Sequence, residues 1–296
     1  MKIAVAIDFS PESKGALHWA LDVRDAIRQS DRPVSLLAIH IAAPTWFSMD
    51  RSRKSFDDQG LRYQSLTALR NFLEEENRDT DEVSLLVDEG EPAGCIHEIV
   101  EREEVELLVI GKSDTSFWSR AFGGATAQKL AHRISCPLAV IDPAHDGFFE
   151  GARWVVGVDF SPASEEALWW ASKLAAMTRG ELHVLHALVD PPLTTMSTGM
   201  VNYLSSGDLA HLCANARSSL EGIMEVIQER HPTLKYATLV HSGEADRVLV
   251  KYARRIKAQG LILGKAHRSR TMSLLLGGVG RGILRQAPTT LLLIPG

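Results

Sequence analysis

The segment LILGKAHRSRTMSLLLGGVGRG (Leu261 to Gly282) joins a short apolar run to a glycine, a basic polar loop and two further glycines. Strand, glycine turn and helix N-terminus are the parts from which phosphate cradles are built, because bare amides and the helix dipole point at the anion. From Leu261 to Gly296 there are five cationic side chains (Lys265, Arg268, Arg270, Arg281, Arg285) and no aspartate or glutamate. Gly277 and Gly278 are placed to open a helix. The matching stretch Leu108 to Pro143 has four cations but also Asp114 and Asp142, a net of +2. An anion is therefore expected to prefer the later stretch. A Walker P-loop is excluded, since it needs a glycine five residues before its Gly-Lys. That position is Glu106 ahead of Gly111-Lys112, and Lys265 is followed by Ala266.

Other reactive residue types carry less. Ser10 and Ser161 each precede a proline, Pro11 and Pro162, the pattern of a helix N-cap with proline at the first helical position. No G-x-S-x-G elbow marks either serine as a nucleophile. Asp8 and Asp159 end apolar runs, where a carboxylate could either accept hydrogen bonds from a ligand or tie down the loop backbone. His183 and His186 are three residues apart on one strand, so they face opposite sides and cannot share a metal. His186, His241 and His267 all fall at strand carboxyl ends, but capping and surface roles are the simpler reading, and no metal is expected. Cys95, Cys136 and Cys213 are odd in number and scattered, which implies neither a disulfide framework nor a zinc site and fits a reducing cytoplasm. The acidic run from Glu74 to Glu106 reads as a solvated helix face. Trp19 and Trp170 read as core or inter-domain packing. Thr194 to Met200 reads as a loop placed to cover the crevice or simply to lie on the surface.

The elements that must position these residues come in two copies. IAVAIDFSPESKGALHWA (Ile3 to Ala20) returns as WVVGVDFSPASEEALWWA (Trp154 to Ala171), LLVIGKSDTS (Leu107 to Ser116) as GLILGKAHRS (Gly260 to Ser269), and CPLAVI (Cys136 to Ile141) as TTLLLI (Thr289 to Ile294). The offset is 151 for the first pair and 153 for the others, so two copies of one domain are expected, 1–143 and 152–296, joined by a linker of Pro, Gly and Asp character. In the first copy strands are expected near 2–8, 34–41, 83–88, 106–111 and 137–142, with helices near 11–29, 57–78, 92–104 and 124–134. In the second, strands are expected near 153–159, 181–188, 235–241, 260–264 and 290–294. Runs such as LLVIG and LLLI are apolar throughout, as in sheets covered on both faces. The fold class is α/β, two tandem doubly wound five-stranded parallel sheets, and such sheets bind ligands beyond the strand carboxyl ends where strand order reverses.

Composition agrees with that class. The chain has 296 residues, 45% hydrophobic and 23% charged, with a net charge of −5. The length suffices for two cores, and the charge offers no global attraction to nucleic acid or an anionic membrane. No apolar run approaches the roughly 18 residues of a bilayer span, and the N-terminal apolar run ends on an aspartate as a strand does rather than a signal peptide.

The V-x-V-D-F-S-P opening (Val156 to Pro162 in the second copy), the VIGK and LILGK strand ends, and the glycine-opened last helix before a short apolar strand resemble the universal stress protein family. The chain resembles its tandem, E-type-like members, and the resemblance covers both halves. Members that bind ATP carry G-x-x-G, nine residues, then G followed by Ser or Thr. The second copy offers Gly264, His267 in place of the second glycine, nine residues from Arg268, then Gly277 and Gly278 in place of the hydroxyl residue. The first offers Gly111, Asp114, nine residues, Gly124 and Ala125. A side chain at the second glycine position crowds the phosphate approach, and Asp114 adds a repelling charge. The first copy most resembles the A-type branch, which lacks the nucleotide motif, with Phe117 to Gly124 filling the site.

The resemblance implies a cytoplasmic stress-response binding or regulatory protein with the universal stress protein type of Rossmann-like fold, paired internally as a pseudo-dimer through its last strands and able to form a homodimer. It implies an adenine nucleotide (ATP, ADP or AMP) in the second copy at Asp159, Ala187, Gly264, Lys265, His267, Arg268, Gly277 and Gly278. A degenerate site is implied in the first at Asp8, Ile41, Gly111, Asp114, Gly124 and Ala125. No cofactor is required otherwise, no catalytic residue is assigned, and neither nucleic acid nor membrane is expected as partner. The alternatives are a scaffold acting through protein partners with both sites dead, and a nucleotide hydrolase.

Overall fold

The computed structural model describes residues 1–29, 31–42, 58–76, 78–112, 126–142, 150–188, 206–265 and 289–296. The chain divides into two compact units, Met1–Phe148 and Phe149–Gly296. In unit 1 the described elements are β1 Lys2–Ala6, α1 Pro11–Arg28, β2 Ser35–Ala42, α2 Asp58–Glu74, β3 Val83–Glu89, α3 Pro92–Arg102, β4 Leu107–Gly111, α4 Thr126–Arg133 and β5 Leu138–Ile141. Its strands are parallel in the order β3-β2-β1-β4-β5. In unit 2 they are β6 Arg153–Gly157, α5 Pro162–Met177, β7 Glu181–Leu188, α6 Ser206–Arg230, β8 Lys235–Ser242, α7 Ala245–Ile256, β9 Gly260–Lys265 and β10 Thr290–Pro295. The order there is β8-β7-β6-β9-β10, again parallel. The expected fold class is the observed one. The chain steps outward from β1 or β6 in one direction and then crosses to the other side, so strand order reverses between β1 and β4 and between β6 and β9.

The strands are continuous apolar runs because the central ones have no solvent face. Ile3, Ala4 and Val5 in β1, and Trp154, Val155 and Val156 in β6, are wholly buried. Covering α1 buries Ala16, Leu17, Ala20, Leu21 and Ile27, a stripe at helical spacing, and each such aliphatic side chain contributes about 1.5–3 kcal/mol on burial. Trp19 joins this core, while its counterpart Trp170 is half-exposed and carries the Lys173 ammonium 5.6 Å from its ring centre. The matched position is fully packed in one unit and only partly buried in the other. No described helix is long and apolar enough to cross a membrane.

One sequence expectation fails in unit 1. Glu76, in the acidic run read as solvated, is buried, with Lys14 Nζ 2.7 Å and His18 Nε2 2.6 Å from its carboxylate oxygens. A polar residue beyond the end of α2 folds back onto α1 because two donors there satisfy its charge. Burial alone would raise the Glu76 pKa; the bonds from Lys14 and His18 outweigh it, and the carboxyl sits below its ordinary range.

Glu76→Gln is expected to cost about 1–2 kcal/mol at neutral pH, because it weakens two charge-assisted bonds at a buried site. A folded-state pKa below the unfolded value means that the ionised carboxylate contributes stability above the unfolded pKa of about 4.3 and loses it as pH falls through the folded value. Urea denaturation of wild type and variant should therefore diverge at pH 7 and converge in strong acid.

Candidate functional site

The carboxyl ends of β1 and β6 are built alike in the two units. Ser10 and Ser161 are N-caps with extended backbone, and their hydroxyls accept from the amides of Ser13 and Ser164 at 3.2 and 3.3 Å, with proline following. The sequence reading of both serines holds. The aspartates before them tie down the loop. Asp8 Oδ1 accepts from the Ser10 amide at 3.1 Å and from the Ser10 hydroxyl, and Asp159 Oδ1 accepts from the same groups of Ser161 at 3.0 and 2.5 Å. Burial pushes the Asp159 pKa up, the Ser161 bonds pull it down further, and the carboxyl ends below its ordinary range.

Between each aspartate and serine lies a phenylalanine in the left-handed region, Phe9 at φ 63° and Phe160 at φ 62°. A bulky residue there costs of order 1–3 kcal/mol and persists only where its surroundings hold it. They do so in both units. The Phe9 ring centre lies 4.5 Å from that of His40, and Phe160 lies 4.8 Å from His186. Each histidine in turn binds the carbonyl ahead of the aspartate through Nδ1, His40 to Ile7 at 2.8 Å and His186 to Val158 at 2.7 Å. Burial lowers the His40 pKa against the opposing pull of the Ile7 carbonyl and Asp8, so it stands neutral with Nδ1–H donating. Sequence reading had not grouped these residues. The signal lay in the repeated DFSP, paired in each copy with a histidine two residues before the second-strand end.

Across the sheet, Gly111 and Gly264 sit at or near the ends of β4 and β9, and the backbone requires both. A Cβ on Gly111 would lie 2.5 Å from the Glu12 carbonyl, and one on Gly264 2.3 Å from that of Ala163, in the first turns of α1 and α5. The strand end and helix start approach too closely for any side chain. The outer glycine of the nucleotide motif thus has a packing cause in both units, whatever binds nearby.

Asp159, Ala187, Gly264 and Lys265 lie at or just beyond the carboxyl ends of β6, β7 and β9, as do Asp8, Ile41 and Gly111 in unit 1. His267, Arg268, Gly277 and Gly278, with Asp114, Gly124 and Ala125, lie outside the described residues, as do the stretch expected to form the last helix of the second copy and the Thr194 to Met200 loop. The strand ends differ in charge. Lys112 follows β4 and pairs with Asp142 at 3.4 Å. By strand register Gly111 stands beside Ile141 and Gly264 beside Ile294, so Lys112 matches Lys265 and Asp142 matches Pro295. Among the described residues no group of three or more His, Cys, Asp or Glu side chains could hold a metal.

The sequence signature of the universal stress protein family matches residues 1–142 and 152–295. The chain belongs to that family, with its domain present twice. A universal stress protein of Mycobacterium bovis is 29% identical over 192 residues, 62% of this chain, and the match spans 60% of that relative's length. One of Mycobacterium tuberculosis is 26% identical over 300 residues, covering 97% of this chain and 94% of the relative. The crystal structure of a universal stress protein from Archaeoglobus fulgidus superposes with a TM-score of 0.68 at 16% identity, covering 99% of this chain and 98% of that one, a likeness of fold.

Gly264→Ala and Gly111→Ala should each destabilise the full chain by about 1–3 kcal/mol, because the new methyl meets backbone rather than a yielding side chain. Guanidinium denaturation with no ligand added measures this. Wild-type stability for Gly264→Ala would contradict the packing account. Ser161→Ala should cost about 1 kcal/mol through the lost cap, read in the same titration.

Proposed function

We propose that this chain is a binding or regulatory protein of the stress response whose second unit takes an adenine nucleotide in the crevice between the carboxyl ends of β6 and β9. The observation that carries the reading is the charge contrast between matched strand ends. In unit 1 the stretch Leu108 to Pro143 has a net charge of +2, whereas Leu261 to Gly296 in unit 2 carries five cations and no acid. Oxyanions are drawn to such a place, and open α/β sheets offer their crevices at the strand-order switch. Asp159 would lie at the base end of the ligand and Lys265, with the arginines after it, at the phosphate end. The first unit is read as non-binding for nucleotide.

Binding rather than turnover fits the acid available. Asp159 is held ionised by the turn, with its Oδ1 engaged by Ser161, which makes it a weak proton acceptor. The scaffold reading is favoured by two facts: Asp159 has a structural role in the turn and Gly264 a structural cause.

Thermal-shift titration with ATP, ADP and AMP tests it. A site at 100-fold excess of ligand over its dissociation constant adds about 2.7 kcal/mol to stability. A melting temperature that stays flat to millimolar nucleotide rejects the nucleotide reading and leaves the scaffold. Turnover of added ATP that disappears in Asp159→Ala would instead make the chain a hydrolase.

A further inference from the structure

A second polar cluster lies in unit 2 on the outer part of the sheet, against α7. His183 on β7 is buried and shares a 2.8 Å hydrogen bond between its Nδ1 and the Tyr252 hydroxyl, while its Nε2 stands 3.5 Å from the Glu181 carboxylate. Burial lowers the His183 pKa against the pull of Glu181, and burial raises that of Tyr252 against the pull of Arg255. Both groups are therefore neutral, and a single proton is shared between the imidazole Nδ1 and the phenol oxygen. Tyr252 is fixed in turn beneath Arg255, whose guanidinium carbon lies 4.7 Å from the ring centre. The His241 ring lies 6.0 Å from the same tyrosine, and its Nε2 is buried without a hydrogen-bond partner. His241, Ser242, Val248, Lys251, Tyr252 and Arg255 line an open cleft of about 190 Å³.

Unit 1 supplies the control. Gly90 and Gly243, at φ 141° and 134°, mark the same turn, which sets an offset of 153 on the strand and helix that flank it. The residues matching His241, Ser242, Lys251, Tyr252 and Arg255 are Asp88, Glu89, Glu98, Ile99 and Arg102. His40 and His186, bound to equivalent carbonyls, match His183 to Leu37. Three carboxylates and one arginine in unit 1 stand against one lysine and one arginine in unit 2, a formal charge of −2 against +2. Of the acids near the unit 2 cleft, Glu181 is turned to His183 and Glu244 to Arg247 at 2.9 Å.

We propose that this cleft binds a small phosphate-type oxyanion, with Lys251 and the pre-positioned Arg255 as charge donors and Ser242 and His241 as further hydrogen-bond donors. A guanidinium held against an aromatic face loses little freedom on binding an oxyanion. The cleft volume is below the roughly 300 Å³ at which pockets begin to take drug-sized ligands, so the guest is an ion or a short phosphomonoester and not a nucleotide. Lys251 and Arg255 are both exposed.

The test uses the full chain in chloride buffer of constant ionic strength, titrated by calorimetry with inorganic phosphate and separately with glycerol phosphate. Saturable binding is expected, weakened at least tenfold by Lys251→Gln with Arg255→Gln and left unchanged by Arg102→Gln in unit 1. Tighter binding of glycerol phosphate assigns the cleft to a phosphomonoester, and equal or tighter binding of phosphate assigns it to the free ion; either supports the proposal. Phosphate affinity that survives the double substitution belongs to the β6–β9 crevice and overturns it, as does an absence of saturable binding. Circular dichroism and melting of the double variant without phosphate establish that it is folded. Because this site and the nucleotide crevice share no residue, either can fail alone.

Discussion

The constraint on which the rest of each unit depends is the contact between one strand end and the first turn of one helix. At Gly111 and Gly264 the backbone of β4 or β9 lies so close to α1 or α5 that even a methyl would overlap a carbonyl. That contact brings the helix start to the reversal point of the sheet and obliges the chain leaving β1 or β6 to turn sharply. The Asp-Phe-Ser turn meets the obligation. The aspartate holds the serine amide and hydroxyl, the serine caps the helix, and the phenylalanine takes the left-handed conformation between them. The strain at that residue is offset by its ring contact with histidine and by the histidine's bond to the carbonyl just beyond β1 or β6. These parts form a closed set, so removing one leaves another polar group without its partner.

The unit fold was legible because local pattern and global architecture agree. Every described strand lies within about two residues of its expected position, since apolar runs between glycine and proline breaks have one easy reading in an α/β chain. The caps at Ser10 and Ser161 were legible because Ser-Pro satisfies two helix-start rules together. The aspartates were not. Whether a carboxylate bonds its own loop or a ligand depends on the backbone angles of the next residue, and no propensity places phenylalanine at positive φ. Gly264 was ambiguous for another reason, as close packing against a helix and close approach of a phosphate both demand a missing side chain. Glu76 eluded sequence reading because its partners, Lys14 and His18, lie about sixty residues earlier on another helix. The His183–Tyr252–His241 grouping required the pairing of β7 with β8, which puts His241 beside Ala187 and hence on the same sheet face as His183.

The duplication separates what the fold needs from what it merely permits. Both units keep the strand-end glycine, the Asp-Phe-Ser turn and the histidine beneath the phenylalanine, so these features belong to folding. The β7–β8–α7 cluster does not, because unit 1 fills the matching interior positions with Leu37 and Ile99 and leaves carboxylates at the rim. Leucine and isoleucine bury apolar area without any desolvation cost, whereas an imidazole and a phenol hydroxyl must find each other or lose a hydrogen bond to water. Unit 2 therefore carries a polar arrangement that its own architecture shows to be unnecessary for folding. The same contrast appears at the β9 end, where Pro295 stands at the position Asp142 occupies in unit 1. Two independent places thus differ in the same sense, with acid in the first unit and its absence or replacement by cation in the second, while the backbone stays the same. The net charge of −5 is accordingly uneven, −9 over Met1–Phe148 and +4 over Phe149–Gly296, so anions are drawn to the second unit rather than the first.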